Sequence, residues 1–124
     1  MNTSARGRQG EDEAVRFLEN AGIRVIERNF RTEGGEIDII ALDGETIVFI
    51  EVKSWTGYGI ENLEFSISEK KQHKIIETAK FFLSKYRKYK GMAVRFDVIF
   101  IARSSKQHQQ ALPTHLVSAF SENV

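Results

Sequence analysis

Gly34-Gly35-Glu36-Ile37-Asp38-Ile39-Ile40-Ala41-Leu42-Asp43-Gly44-Glu45-Thr46-Ile47-Val48-Phe49-Ile50-Glu51-Val52-Lys53 reads as two apolar strands joined by a tight turn, with charges placed where a core should be. Asp-Gly between β-branched runs is a strong hairpin signal, because both central residues of the favoured turn must tolerate positive φ. Taking Asp43-Gly44 as the two-residue loop pairs Leu42 with Glu45, Ile40 with Ile47, Asp38 with Phe49 and Glu36 with Glu51. Alternation at period two puts Glu36, Asp38, Ile40, Ile47, Phe49, Glu51 and Lys53 on one side of the sheet. Ile37, Ile39, Ala41, Val48, Ile50 and Val52 fall on the other. Both sides are apolar, so both are expected to be covered.

Glu36, Asp38 and Glu51 then gather at one end of a largely buried face with Lys53 as the sole cation. Carboxylates crowded in low dielectric repel one another and lose hydration, a cost of several kcal/mol per ion. Lys53 neutralises one acid. A divalent cation compensates more completely, since hard cations take carboxylate oxygens.

Outward from the hairpin, a first helix is expected from a cap at Thr3 or Ser4 to about Asn20, stopped by Gly22. Its stripe of Ala14, Val15, Leu18 and Ala21, projected back one turn, lands on Glu11, which is expected to face the sheet. Asp12 and Glu13 suit the positive end of the helix dipole. Gly22 to Arg31 reads as a first strand, with Arg28 and Arg31 near the Gly34-Gly35 turn and best read as ion-pair partners of nearby acids. Ser54 to Leu63, with Trp55 and Tyr58, reads as a loop that either stacks on bases or tucks into the core edge.

Ser66 or Ser68 caps a long helix to about Tyr89, with Gln72, Ile75, Ile76, Ala79, Phe82, Leu83 and Tyr86 as its buried stripe. Lys70, Lys71 and Lys74 crowd its first turns, where cations oppose the dipole, a placement that suggests phosphate contact as much as solubility. Met92 to Ala102 reads as a last core strand, with Arg95 and Asp97 on one face as a pair. From Arg103 onward Ser, Gln and His dominate, a loose tail with Leu112 to Phe120 packed last or against a partner. His73 has no ligand spacing to His108 or His115, which argues against a histidine metal site.

The 124 residues suit a single domain, with its core at about residues 4–102 and a tail at 103–124. The absence of cysteine excludes disulfides, thiol catalysis and cysteine-ligated metal. No apolar run has signal-peptide or membrane-span length, so the cytoplasm is the expected compartment. Net charge is only +1, yet it is segregated: residues 33–68 carry eight acids and one lysine, and residues 69–90 eight bases against Glu69 and Glu77. An acidic pocket beside a basic helix suits a metal next to a phosphate backbone; two solvated faces that neutralise each other would give the same pattern.

Asp38 followed after thirteen residues by Glu51-Val52-Lys53 resembles the PD-(D/E)xK signature of restriction-endonuclease-like nucleases, with Glu36-Ile37 where the pattern has proline. More specifically, Gly7-Arg8-Gln9-Gly10-Glu11-Asp12, Arg28-Asn29-Phe30-Arg31, Gly35-Glu36-Ile37-Asp38, Phe49-Ile50-Glu51-Val52-Lys53, Lys70-Lys71-Gln72 and Arg95-Phe96-Asp97-Val98 resemble the small bacterial YraN family, from Gly7 to about Ile101. That resemblance implies a restriction-endonuclease-like α/β fold: a three-stranded antiparallel meander plus a parallel fourth strand, flanked by helices, with the first helix over the catalytic face. It implies Mg²⁺ or Mn²⁺ held by Asp38, Glu51 and the Val52 carbonyl. Glu11 completes the site, as on the equivalent helix of Holliday-junction resolvase-like members. Lys53 orients the attacking water or stabilises charge, and Glu36 supports from behind. The implied activity is hydrolysis of nucleic-acid phosphodiesters, on DNA and branched DNA among its forms, with Lys70, Lys71 and Lys74 on the backbone and a homodimer as a compatible assembly. The alternative is a non-catalytic nucleic-acid-binding module that retains the nuclease fold.

Overall fold

The computed structural model describes residues 2–56, 67–103 and 112–122. Side chains are described from Gly10, and those of residues 55, 56, 102, 103 and 112 are not. Of the loop expected over Ser54–Leu63, residues Ser54 to Thr56 belong instead to a strand; the rest of it with Tyr58, the Trp55 side chain and His108 lie outside the described residues.

Helix α1 (Asn2–Asn20) leads into strands β1 (Arg24–Thr32), β2 (Gly35–Asp43) and β3 (Thr46–Thr56), then helix α2 (Glu69–Lys85), a 3-10 turn (Arg87–Tyr89), β4 (Ala93–Arg103) and β5 (Leu112–Phe120). The strands form one sheet in chain order. β1, β2 and β3 are an antiparallel meander, β4 runs parallel to β3, and β5 returns antiparallel to β4. This mixed sheet between two helices is the restriction-endonuclease-like architecture expected from the sequence.

Each face of the sheet carries its own core. Under α1, Ala14 and Leu18 pack on Ile39, Ala41, Val48, Ile50, Ile99 and Ile101. Under α2, Ile75, Ile76, Ala79 and Phe82 pack on Ile40, Ile47, Phe49, Val98 and Phe100. Phe82 meets Phe49 edge-on at 5.9 Å, and Phe96 stacks on Phe49 at 5.7 Å and on Phe120 at 5.1 Å. Such pairs add about 0.5–1.5 kcal/mol each to their burial. Ser68 caps α2, its Oγ accepting the Lys71 N–H at 3.2 Å.

Three expectations are corrected. The hairpin loop is Gly44-Glu45, with Asp43 opposite Thr46, Leu42 opposite Ile47 and Ile40 opposite Phe49. Only Gly44 has positive φ (60°), so glycine serves as the first central residue of the turn rather than the second. The slip moves every pair by two residues, so the faces of β3 survive it. Residues Leu112–Phe120, expected to pack last or against a partner, pack on the domain itself as a fifth strand beside β4, which carries the core beyond the expected boundary at residue 102. And the face that carries Glu51 is covered by α2, not α1: Lys71 of α2 contacts it.

Candidate active site

Alternation fails at one place, and the acids sit there. Arg28 faces Ile39 and Phe30 faces Ile37 across the β1–β2 ladder. Phe30 and Ile37 belong to the α2-side core, while Ile39 belongs to the α1-side core and Arg28 pairs with acids of α1. Residues two apart therefore point to opposite faces on both strands. Asn29, between Arg28 and Phe30, supplies the turn-over through a left-handed backbone (φ 53°), a conformation that asparagine tolerates better than most residues. Ile37 is thus on the face opposite to the one alternation gives it, and Asp38 lies at the break.

The β2–β3 ladder ends at the same point. Its last pair is Ile39–Ile50; the next step of that register would set Asp38 opposite Glu51. In place of a ladder bond, the Val52 N–H donates to Asp38 Oδ2 at 2.8 Å. β2 and β3 part here, and a cavity of about 450 Å³ opens. Asp38, Glu51, Glu36, Gly35, Lys71 and Lys74 are among its lining residues.

Glu51 is almost fully buried, and its Oε2 lies 3.1 Å from Lys71 Nζ. Burial pulls the Lys71 ammonium's pKa down, but the adjacent Glu51 carboxylate outweighs it and the net shift is upward. Burial and then the charge of Glu51 push the Asp38 carboxyl up to about 7, against the pull of the Val52 N–H; Glu11 and Glu36 push the same way. A carboxyl poised near neutrality by desolvation and a like charge is characteristic of functional sites.

The approach of α2 to the acids is set by a glycine. A Cβ on Gly35 would stand 2.7 Å from Thr78 Oγ1 and 3.3 Å from the Lys74 carbonyl. Thr78 is itself buried, its hydroxyl donating to that carbonyl at 2.7 Å. On the other face, a Cβ on Gly10 would run into Ser54 Oγ, so α1 also lies close on β3.

The other expected residues are distributed unevenly. Glu11 is mostly buried and accepts the Asn29 amide at 3.1 Å, with Arg28 at 3.6 Å; it is held on the α1 side, near enough for its charge to reach Asp38. Arg28 also pairs with Asp12 at 2.7 Å, and Arg31 with Glu36 at 3.5 Å at the rim. Lys53 is half-buried and outside the cavity lining. Lys70 is exposed and lines a separate groove, whereas Lys74 borders both. The structure thus joins Asp38, Glu51 and Glu36 with Lys71 and Lys74. Sequence reading missed the Lys71–Glu51 contact, for which the acidic-to-basic charge segregation was the available signal.

The expected Arg95–Asp97 pair is present, and it is the centre of a larger polar cluster whose other members, His115, Ser118 and Asp43, sequence reading missed. Asp97 is fully buried and accepts Arg95 Nε at 3.0 Å and the Ser118 N–H at 2.9 Å, with His115 Nε2 at 2.7 Å. Arg95 continues to Asp43 at 3.0 Å. Burial alone would raise the Asp97 pKa, but the bonds from His115, Arg95 and Ser118 together lower it.

Among the described residues no three His, Asp or Glu side chains converge as a ready-made metal cage. Asp38, Glu51 and the cavity between them still have donor chemistry suited to Mg²⁺ or Mn²⁺. Mg²⁺ keeps several waters and is commonly held by one or two carboxylates together with substrate phosphates.

Residues 10–101 match the sequence profile described as the uncharacterised protein family UPF0102, a span that includes Glu11, Asp38, Glu51 and Lys71 and stops short of β5. A UPF0102 protein of Persephonella marina is 53% identical over 105 residues, 83% of this chain and 88% of the relative. One from Treponema denticola is 41% identical over 123 residues, 94% and 95% of the two chains. One from Geobacter metallireducens is 40% identical over 120 residues, 97% and 95%. With a profile match over most of its length and relatives this similar from end to end, the chain belongs to the uncharacterised protein family UPF0102.

Proposed function

We propose that the protein hydrolyses nucleic-acid phosphodiesters, DNA first among them, with a divalent cation held between Asp38 and Glu51. One observation carries this reading: two carboxylates, Glu51 buried and Asp38 half-buried, meet where the β2–β3 ladder parts, the Asp38 pKa is pushed up to about 7, and the first turns of a lysine-rich helix border the same cavity. Structural acids are normally buried with cations that satisfy both oxygens; here Lys71 pairs with Glu51 alone, and Asp38 is left among the charges of Glu51, Glu11 and Glu36.

Bound Mg²⁺ or Mn²⁺ would supply polarisation of the scissile phosphate and a coordinated water of lowered pKa. The chain's own residues do the rest. Asp38, Glu51 and the Val52 carbonyl would hold the ion, and Glu11 would contribute charge from the α1 side. Lys71 and Lys74 draw the phosphate backbone to the opening. Lys53, two residues beyond Glu51 on β3, orients the attacking water, and Glu36 keeps Arg31 at the rim.

The test is cleavage of labelled duplex, single-stranded and four-way-junction DNA across a Mg²⁺ and Mn²⁺ titration. Asp38→Asn and Glu51→Gln should each lose at least about a hundredfold in rate while retaining DNA affinity, because several kcal/mol of barrier rests on the bound ion. A Lys70, Lys71, Lys74→Ala variant should bind DNA more weakly with a shallower salt dependence. Wild-type protein that binds DNA and cuts none of these substrates would select the non-catalytic binding module instead.

A further inference from the structure

The carboxylate pocket already contains a cation, and that cation belongs to the chain. Lys71 is about half exposed, yet its ammonium turns inward to Glu51 Oε2 at 3.1 Å. Its backbone is fixed at the start of α2 by the Ser68 cap, and the helix as a whole is seated close on β2 by the Gly35–Thr78 contact. The positive end of the helix dipole disfavours a cation at this position, so the pairing with Glu51 is what retains it there. Lys74, one turn further along, borders the same cavity with no ion pair to a described residue.

We propose that Lys71 is a resident counter-ion: its ammonium holds Glu51 until a divalent cation takes the carboxylate, and it then swings out beside Lys74 to hold a phosphate. This rests on the nuclease reading above and adds a coupling to it. Lys71 occupies Glu51 Oε2, and a divalent cation on that carboxylate would repel the ammonium a few ångströms away, so the ion's entry favours the departure of Lys71. The lysine stem is long and flexible and its head is strongly hydrated, so it can move the charge without moving the helix. The released ammonium faces the opening through which a nucleic-acid backbone would approach. Ion binding and backbone binding therefore reinforce each other through one side chain, and by linkage each raises the affinity for the other.

The test uses the full chain and does not depend on turnover. Mn²⁺ affinity is measured by calorimetry without nucleic acid for wild type, Lys71→Met and Lys71→Gln. Loss of the ammonium should tighten Mn²⁺ binding by about tenfold or more, and the gain should vanish in a Glu51→Gln background. Lys71→Gln keeps a hydrogen-bond donor for Glu51 and covers the case in which Lys71→Met folds poorly. DNA binding by anisotropy in EDTA and in Ca²⁺ gives a second readout. On going from EDTA to Ca²⁺ the wild-type salt dependence should steepen by about 0.9 in slope, one phosphate contact, beyond any change seen in Lys71→Gln. If wild type binds Mn²⁺ and both variants bind it no more tightly, the counter-ion role is overturned and the nuclease reading stands. If no variant binds Mn²⁺ and no DNA is cut, both fall together.

Discussion

Asp38, half-buried, and Asp97, fully buried, are aspartates of one sheet, each at a point where regular pairing breaks, and the protein treats them in opposite ways. Each takes over a backbone donor: Asp38 accepts the Val52 N–H where the β2–β3 ladder ends, and Asp97 accepts the Ser118 N–H at the irregularity between β4 and β5. Each also has a left-handed residue nearby, Asn29 across from Asp38 and Ser118 itself beside Asp97. The difference lies in the remaining partners. Asp97 has Arg95 and His115, and its pKa is lowered. Asp38 has Glu51, Glu11 and Glu36 around it, and its pKa rises to about 7. Burial is the same force in both; the company decides whether the carboxylate is a fastening or a reactive group.

The largest expected break in that comparison is at Asp97. Asp97→Asn should destabilise the fold by about 3–5 kcal/mol, because it removes the fully buried charge that Arg95 and His115 pair with, leaves the part-buried Arg95 with Asp43 alone and weakens the tie of β5 to β4. Chemical denaturation at pH 7 measures it. The folded carboxyl has the lower pKa, so its contribution is present above the ordinary aspartate range and is lost as pH falls through the folded value. A loss under about 1 kcal/mol would mean that the network is dispensable, and the contrast with Asp38 would lose its structural half.

Asp38 should behave in the reverse sense and by less. Its folded pKa is raised, so the native state binds more protons than the unfolded chain between about pH 4 and pH 7, and stability falls as pH rises through that window. Asp38→Asn keeps an oxygen for the Val52 N–H and removes the charge. Without metal it should match wild type near pH 4 and melt a few degrees higher near pH 8, a gain on the order of 1–2 kcal/mol. Scanning calorimetry at the two pH values decides; a variant less stable than wild type at pH 8 would make Asp38 another fastening.

Much of this was legible in the sequence because it rests on local rules. The helix stripes, the hairpin and the Arg95–Asp97 pair follow from period and spacing, and the parallel return of β4 from the order of elements that the family resemblance implies. The turn slipped because Asp-Gly was read with both residues in the loop, whereas Gly44 alone carries the positive φ. The true register is the one that aligns Asp38 with Glu51 instead of Phe49. β5 was hidden because its register is set by Asp97, eighteen residues before His115, and by an irregular ladder, neither of which leaves a pattern within the strand. Lys71 was recognised as a helix cation but not as the partner of Glu51, since the distance between α2 and β3 depends on Gly35 meeting Thr78.

The smallest effect tests the backbone that sets Asp38 apart. In an ordinary strand, glycine is worse than alanine by about 0.5–1 kcal/mol through its greater entropy in the unfolded chain. At position 29 the order should invert. The backbone there is left-handed, which costs a residue with a Cβ about 1–2 kcal/mol and glycine nothing. Both Asn29→Gly and Asn29→Ala lose the amide to Glu11, so that loss cancels between them and the difference reports the backbone: the left-handed cost to alanine less the entropy cost of glycine. Asn29→Gly should be the more stable by several tenths of a kcal/mol to about 1 kcal/mol, measured by denaturant unfolding with equal m-values. The same inversion is expected at Ser118, where the left-handed residue serves Asp97. If alanine equals or exceeds glycine at 29 but not at 118, the strand at Asn29 continues its ordinary pleat, and the parting of β2 from β3 at Asp38 must be attributed to repulsion between the carboxylates instead of to the fold of β1.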